Sequence, residues 1–166
     1  MSEILNLYVN GTKMQAIAKP ESTLLEVLRD ELHLVSPKCG CNHGDCGACT
    51  VILDGKAVKS CTVLALTAEG KKVVTVEGLS NGSELHPVQQ AFIKYGAPQC
   101  GYCTPGMVMA TVAFLLDNPT PKEEEIKDAL SGNLCRCGGY KEYVKAVSAV
   151  VSGEFGRLPE GSEINA

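Results

Sequence analysis

The 166-residue chain is poor in the groups that usually do chemistry or bind polyanions. It has three histidines, no basic block and a net charge of −4. His33, His43 and His86 are scattered and lack a paired nucleophile or base, so nothing in the chain suggests catalysis of its own. The acidic balance argues against nucleic acid as a partner. No apolar run approaches the roughly 20 residues of a membrane span. The start, MSEILNLYVNG, has no basic n-region, no apolar h-region and no twin arginine, so a cytoplasmic location is expected.

Cysteine, by contrast, is abundant. Eight of the nine cysteines fall into two sets of four. Cys41, Cys46, Cys49 and Cys61 read C-x4-C-x2-C-x11-C, and Cys100, Cys103, Cys135 and Cys137 read C-x2-C-x31-C-x-C. Four thiolates suit a metal ion or an iron–sulfur cluster, and C-x4-C-x2-C is the plant-type 2Fe–2S spacing. Disulfides are disfavoured by the odd total, the lack of an export signal and the closeness of Cys135 to Cys137. Structural zinc is the stronger alternative, because C-x2-C knuckles are common in zinc sites. Yet zinc seldom requires three ligands in one tight loop. A Rieske-like role for histidine is disfavoured because each four-cysteine set is already complete.

In the first half, Asn10-Gly11 between residues 4–9 and 13–18 is a type I′ hairpin signal. Thr23-x-x-Glu26 is a capping box for a helix of two to three turns through Leu24, Leu25, Val27, Leu28 and Leu32. Gly40, Gly44 and Gly47 let the cysteine loop curl and turn N–H groups toward sulfur. His43 lies inside that loop, within reach of a hydrogen bond there or simply exposed, and His33 lies at a helix end. A second hairpin about Asp54-Gly55 brings Cys61 back toward Cys49. Its strict register would oppose Cys49 to Ser60, so a bulge or an early end of the ladder is expected. A further strand is expected over 72–76. The order suggests a β-grasp domain over residues 1–80.

Asn81-Gly82-Ser83 is read as a junction. Beyond it, Pro87 opens a helix with Val88, Ala91, Phe92 and Tyr95 on one face, and Pro105 starts another. Thr120-Pro121-x-Glu123 is read as the cap of a third helix, and LCRCGGY leads into a fourth with Tyr143, Val144, Ala146, Val147 and Val150 as its stripe. Each cysteine pair would then sit at a helix start, where the dipole favours thiolate. The expectation is an α+β chain: a four-helix domain over 81–153, then a polar tail over 154–166 that lies on a partner or stays mobile.

CNHGDCGACTVILDGKAVKSC, QCGYCTPGM and GNLCRCGGY, in this order and spacing, resemble the small iron–sulfur subunit of the xanthine dehydrogenase, or molybdenum hydroxylase, family. The resemblance covers nearly all of residues 3–152. It implies two 2Fe–2S clusters, one on Cys41, Cys46, Cys49 and Cys61 and one on Cys100, Cys103, Cys135 and Cys137. The helical cluster would face a molybdenum–pterin on a large subunit, with Gln99 and Cys137 at pterin-contact positions. The plant-type cluster would face FAD on a third subunit, in a heterotrimer that is often doubled. This chain would be the electron-transfer part of an oxidoreductase whose substrate chemistry lies elsewhere.

Two departures stand out. Gly138 replaces the hydroxyl residue of the family's C-R-C-T-G-Y, and Cys39 is a ninth cysteine that could compete with Cys41 as a ligand. Cys39 is read as a bystander because only Cys41 preserves the x4 spacing. A free-standing ferredoxin-like carrier is the competing function, although it needs one cluster and leaves the helical half without a purpose. A zinc-stapled interaction module is the third reading, and it would be colourless.

Overall fold

Asn10 and Gly11 adopt φ of 50° and 79°, the left-handed pair that a type I′ turn requires. They join β1 (Glu3–Val9) to β2 (Thr12–Ala18) in a full antiparallel register. Alternation then sorts the side chains: Leu5, Leu7 and Val9 are buried, while Ile4 and Ile17 face each other on the exposed side. The computed structural model describes residues 2–80 and 82–164, so Asn81 of the expected junction lies outside the described residues.

The capping box forms as expected. The Thr23 N–H donates to Glu26 Oε2 at 2.8 Å and the Glu26 N–H to Thr23 Oγ1 at 3.2 Å. α1 (Leu24–Glu26) then widens into a π turn over Val27–Glu31. Leu24, Val27 and Leu28 pack beneath the sheet with Leu5, Leu7, Val51 and Val73. Leu25 instead lies against Cys49 and Cys61.

Asp54 and Gly55 make a second turn with φ of 46° and 81°, joining β3 (Thr50–Leu53) to β4 (Lys56–Lys59). β5 (Lys72–Val74) runs parallel to β1 and antiparallel to β3, giving a mixed sheet in the order β2-β1-β5-β3-β4. The strand is shorter than expected. Asn10 Oδ1 accepts the Thr75 N–H at 2.9 Å, and the chain turns into a 3-10 segment over Val76–Gly78.

The helices are α2 (Pro87–Lys94), α3 (Thr104–Asp117), α4 (Glu123–Ser131) and α5 (Tyr140–Val151). α4 is capped at Lys122 rather than at Thr120. Lys122 is still extended, with φ −77° and ψ 160°, and the carboxylate of Glu125 accepts its N–H at 2.8 Å. Phe92 on α2 meets Tyr143 on α5 edge to face, with ring centroids 4.9 Å apart and planes at 70°, a contact worth roughly 0.5–1.5 kcal/mol beyond area burial. Ile52 and Val74 of the sheet belong to the same apolar cluster as Val88, Phe92, Met107 and Tyr143. The two halves therefore share a core.

The described part of the tail, expected to lie on a partner or stay mobile, makes contacts with the chain's own helices. Glu154 pairs with Lys94 at 2.5 Å and accepts from Tyr95 at 2.9 Å. Phe155 and Leu158 pack on the helices, and Ile164 of the short α6 (Gly161–Ile164) is buried. Apolar residues spaced along a polar segment return it to the core.

His86 sets a pH dependence. It is 3% exposed, its Nδ1 accepts the Val88 N–H at 3.2 Å, and burial pushes its pKa down to about 4. The unfolded chain, with an ordinary value of about 6.5, binds the extra proton first. Stability is therefore full above about pH 6.5 and falls as pH drops toward 4, by about 3 kcal/mol in total. His86→Asn, which keeps a capping acceptor, should flatten that slope in melting curves taken from pH 7 to pH 4.

Candidate metal centres

The first centre is built by the loop from Lys38 to Thr50. Its N–H groups point at sulfur: those of His43 and Cys46 donate to Cys41 Sγ at 3.5 and 3.4 Å. These donors hold the Cys41 thiol down at about 6. Burial pushes Cys46 up, and burial together with the adjoining Cys49 thiol pushes Cys61 up to about 12. One sulfur is thus ready as thiolate, while the buried ones would lose their protons to solvent as a metal took their place. Gly40 permits the close turn, since a Cβ there would lie 2.7 Å from Cys46 Sγ.

Cys61 arrives as the register argument required. The β3–β4 ladder ends at Thr50 and Lys59, and a 3-10 turn over Ser60–Thr62 carries Cys61 inward. The Ser60 hydroxyl donates to Cys49 O at 2.8 Å and locks the two segments. His43 does not reach sulfur through its ring, which pairs with Asp45 at 2.9 Å on the surface. His33 is exposed with φ 56°, just beyond the π turn.

The second centre sits where two loops meet at helix starts. Cys103 is the N-cap of α3, and Cys135 and Cys137 precede α5. Burial pushes the Cys103 thiol up to about 11. Burial works in the same direction on Cys135, but the Gly139 N–H, the Cys103 thiol and the N–H groups of Cys137 and Gly138 outweigh it and bring that thiol below its ordinary value. The Tyr102 N–H and the Cys137 thiol lower Cys100. Cys100 and Cys137 are exposed, and Gln99 is exposed beside them. Gly138 has φ +80° with nothing within 4 Å of an added Cβ, so glycine fits this turn without strain.

The thiols meet in pairs. Cys41 contacts Cys46 and Cys49 contacts Cys61; Cys103 contacts Cys135 and Cys100 contacts Cys137. Among the described residues, no three or more His, Cys, Asp or Glu side chains converge on a single metal-ion position. Two thiols for each of two irons is the donor arrangement of a four-cysteine 2Fe–2S cluster. The residues therefore fit that group at both centres, and all nine thiols are free of disulfides.

The two loops lie back to back. The Leu134 N–H donates to Cys46 O at 2.9 Å, and Asn133 Nδ2 donates to Gly47 O at 2.9 Å. The Tyr102 hydroxyl donates to Cys39 O at 2.7 Å. A Cβ on Gly47 would lie 2.5 Å from Gly132 O, and one on Gly106 would collide with Gly47 O. One hydrogen bond thus connects Cys46 of the first centre to the residue before Cys135 of the second. Sequence reasoning missed Asn133, Leu134 and Tyr102 in this role. Only Gly106, a glycine inside the first turn of an apolar helix, carried a signal of close backbone approach.

Comparison with known proteins agrees with this geometry. A family model described as a 2Fe–2S iron–sulfur cluster binding domain matches residues 7–79, and one described as a 2Fe–2S binding domain matches residues 75–148. The nicotinate dehydrogenase small FeS subunit of Eubacterium barkeri is 45% identical over 147 residues, covering 89% of this chain and 94% of that one. The xanthine dehydrogenase iron-sulfur-binding subunit of Escherichia coli is 49% identical over 144 residues, covering 84% and 88%. The chain belongs to the iron–sulfur subunits of the molybdenum hydroxylase family. Among solved structures, a chain of quinoline 2-oxidoreductase from Pseudomonas putida 86 superposes with a TM-score of 0.88 at 38% identity, covering 92% of this chain and 95% of that one.

This iron–sulfur subunit carries two 2Fe–2S clusters and serves electron transfer in a multi-subunit oxidoreductase. Among the described residues, no helix is long and apolar enough to cross a membrane.

Proposed function

We propose that Cys41, Cys46, Cys49 and Cys61 ligate one cluster and Cys100, Cys103, Cys135 and Cys137 the other, so that electrons pass in series through this chain. When bound, each cluster accepts and passes on one electron. The chain's own contribution is to aim N–H groups at sulfur and exclude water with Leu25, Met107 and their neighbours. It also holds the two loops at one hydrogen bond's separation. The observation that carries the reading is the pairing of eight thiols in two loops joined by the Leu134–Cys46 bond.

The β-grasp part, residues 1–80, holds the first cluster, and the four-helix part, 81–153, holds the second. Exposed Cys100, Cys137 and Gln99 give the helical cluster a side open to a partner. That side receives the molybdenum–pterin of a large subunit, with Gln99 and Cys137 as its contacts. The plant-type cluster delivers to FAD on a third subunit, in a cytoplasmic heterotrimer that can double. Relatives named for nicotinate and xanthine are 45% and 49% identical to this chain, and a chain of the enzyme named for quinoline is 38% identical, which suits a relay that never touches substrate. A free-standing carrier is not favoured, since these relatives are named as subunits or belong to larger oxidoreductases.

Iron and acid-labile sulfide analysis of the purified complex, with EPR after full reduction, tests the reading. Two distinct paramagnetic 2Fe–2S centres are expected. A single centre, or a colourless protein without sulfide, would refute it.

A further inference from the structure

Tyr143 places a buried phenol against the helical centre, and nothing in the relay described so far uses its hydroxyl. Tyr143 is 1% exposed and stands on α5, against α3. Its hydroxyl lies 2.9 Å from Thr104 Oγ1 and 3.6 Å from Cys103 Sγ. The Phe92 ring fixes its plane. A phenol has one proton and two candidate acceptors here. When Cys103 holds iron its sulfur is anionic, and a charged acceptor outcompetes a neutral hydroxyl. The proton then turns to sulfur, while Thr104 satisfies the phenol oxygen by donating to it.

We infer that Tyr143 is a positioning residue that donates a hydrogen bond to Cys103 Sγ and raises the reduction potential of the helical-domain cluster. Reduction adds negative charge that spreads onto the thiolates, so a donor at sulfur stabilises the reduced form more than the oxidised one. Among the described residues of the first centre, Cys41 is met by backbone N–H groups and by the Cys46 thiol, itself an expected ligand, and no hydroxyl stands against it. Tyr143 therefore tunes the potential of the helical-domain cluster independently of the other. The inference rests on the proposed ligation of the second cluster by Cys103.

The test is EPR-monitored redox titration of the intact complex carrying Tyr143→Phe, which keeps the ring and its contact with Phe92. Cys103→Ala identifies which of the two signals belongs to the helical cluster. Loss of one charge-assisted hydrogen bond should change that cluster's reduction equilibrium about tenfold, which is a fall of about 59 mV for one electron, with the other cluster unmoved. Thr104→Val should shift it by less than half as much, since the phenol keeps its sulfur. An unchanged potential in Tyr143→Phe, or an equal shift in Thr104→Val, would overturn the inference. So would loss of the cluster from Tyr143→Phe, which would make the hydroxyl structural. Failure of the ligation itself is distinguishable, because the wild-type complex would then lack one of the two signals altogether.

Discussion

Cys41→Ser should lose one cluster and about half of the iron, while Cys39→Ser keeps both. The two cysteines are separated by one residue, Gly40, and only one of them faces the centre. Cys41 Sγ receives two backbone N–H groups and contacts the Cys46 thiol. Cys39 is exposed, and the group it engages is its carbonyl, which accepts from Tyr102. Moving the ligand from 41 to 39 would need the loop to reopen across Gly40, where there is no room for the chain to shift toward Cys46. Iron counting on both variants decides between the two. Retention of all the iron by Cys41→Ser, or loss of half by Cys39→Ser, would show that the spacing had been misread.

Gly47→Ala should disconnect the two centres. The new Cβ would lie 2.5 Å from Gly132 O and 2.7 Å from Asn133 Nδ2, at a residue with φ +69°. Left-handed strain and overpacking together cost roughly 2–5 kcal/mol. The backbone has little choice but to part the loops, which breaks the Asn133–Gly47 and Leu134–Cys46 bonds. The expected result is a lower melting temperature and slowed reduction of the second-reached cluster in rapid-freeze experiments. Gly70→Ala is the control, because Gly70 also has positive φ, +71°, but an added Cβ there meets nothing within 4 Å. It should cost only the strain, about 1–2 kcal/mol, and leave electron transfer at its normal rate. Equal effects at both glycines would remove the contact from the explanation.

Much of this chain was legible because its signals are local. The Asn10-Gly11 and Asp54-Gly55 turns, the Thr23–Glu26 box and Pro87 at a helix start each depend on a few adjacent residues. Even the early end of the β3–β4 ladder followed from counting residues back from the turn to Cys49. The misplaced α4 cap shows the limit of that approach. Thr120 and Lys122 both precede a helical pattern, and only the path of the chain selects between them. The tail shows it again: Phe155, Leu158 and Ile164 are too sparse to form a periodic signal, yet each finds the helical core.

Cysteine count and spacing alone singled out eight sulfurs in two sets of four, because metal chemistry constrains ligand number and loop length directly. Tertiary structure decided the rest. It chose which thiols pair, brought Gly47 and Gly106 into backbone contact, and set Tyr143 beside Cys103. Those contacts join residues tens of positions apart, and their strength depends on separations of a few tenths of an ångström that no local pattern encodes.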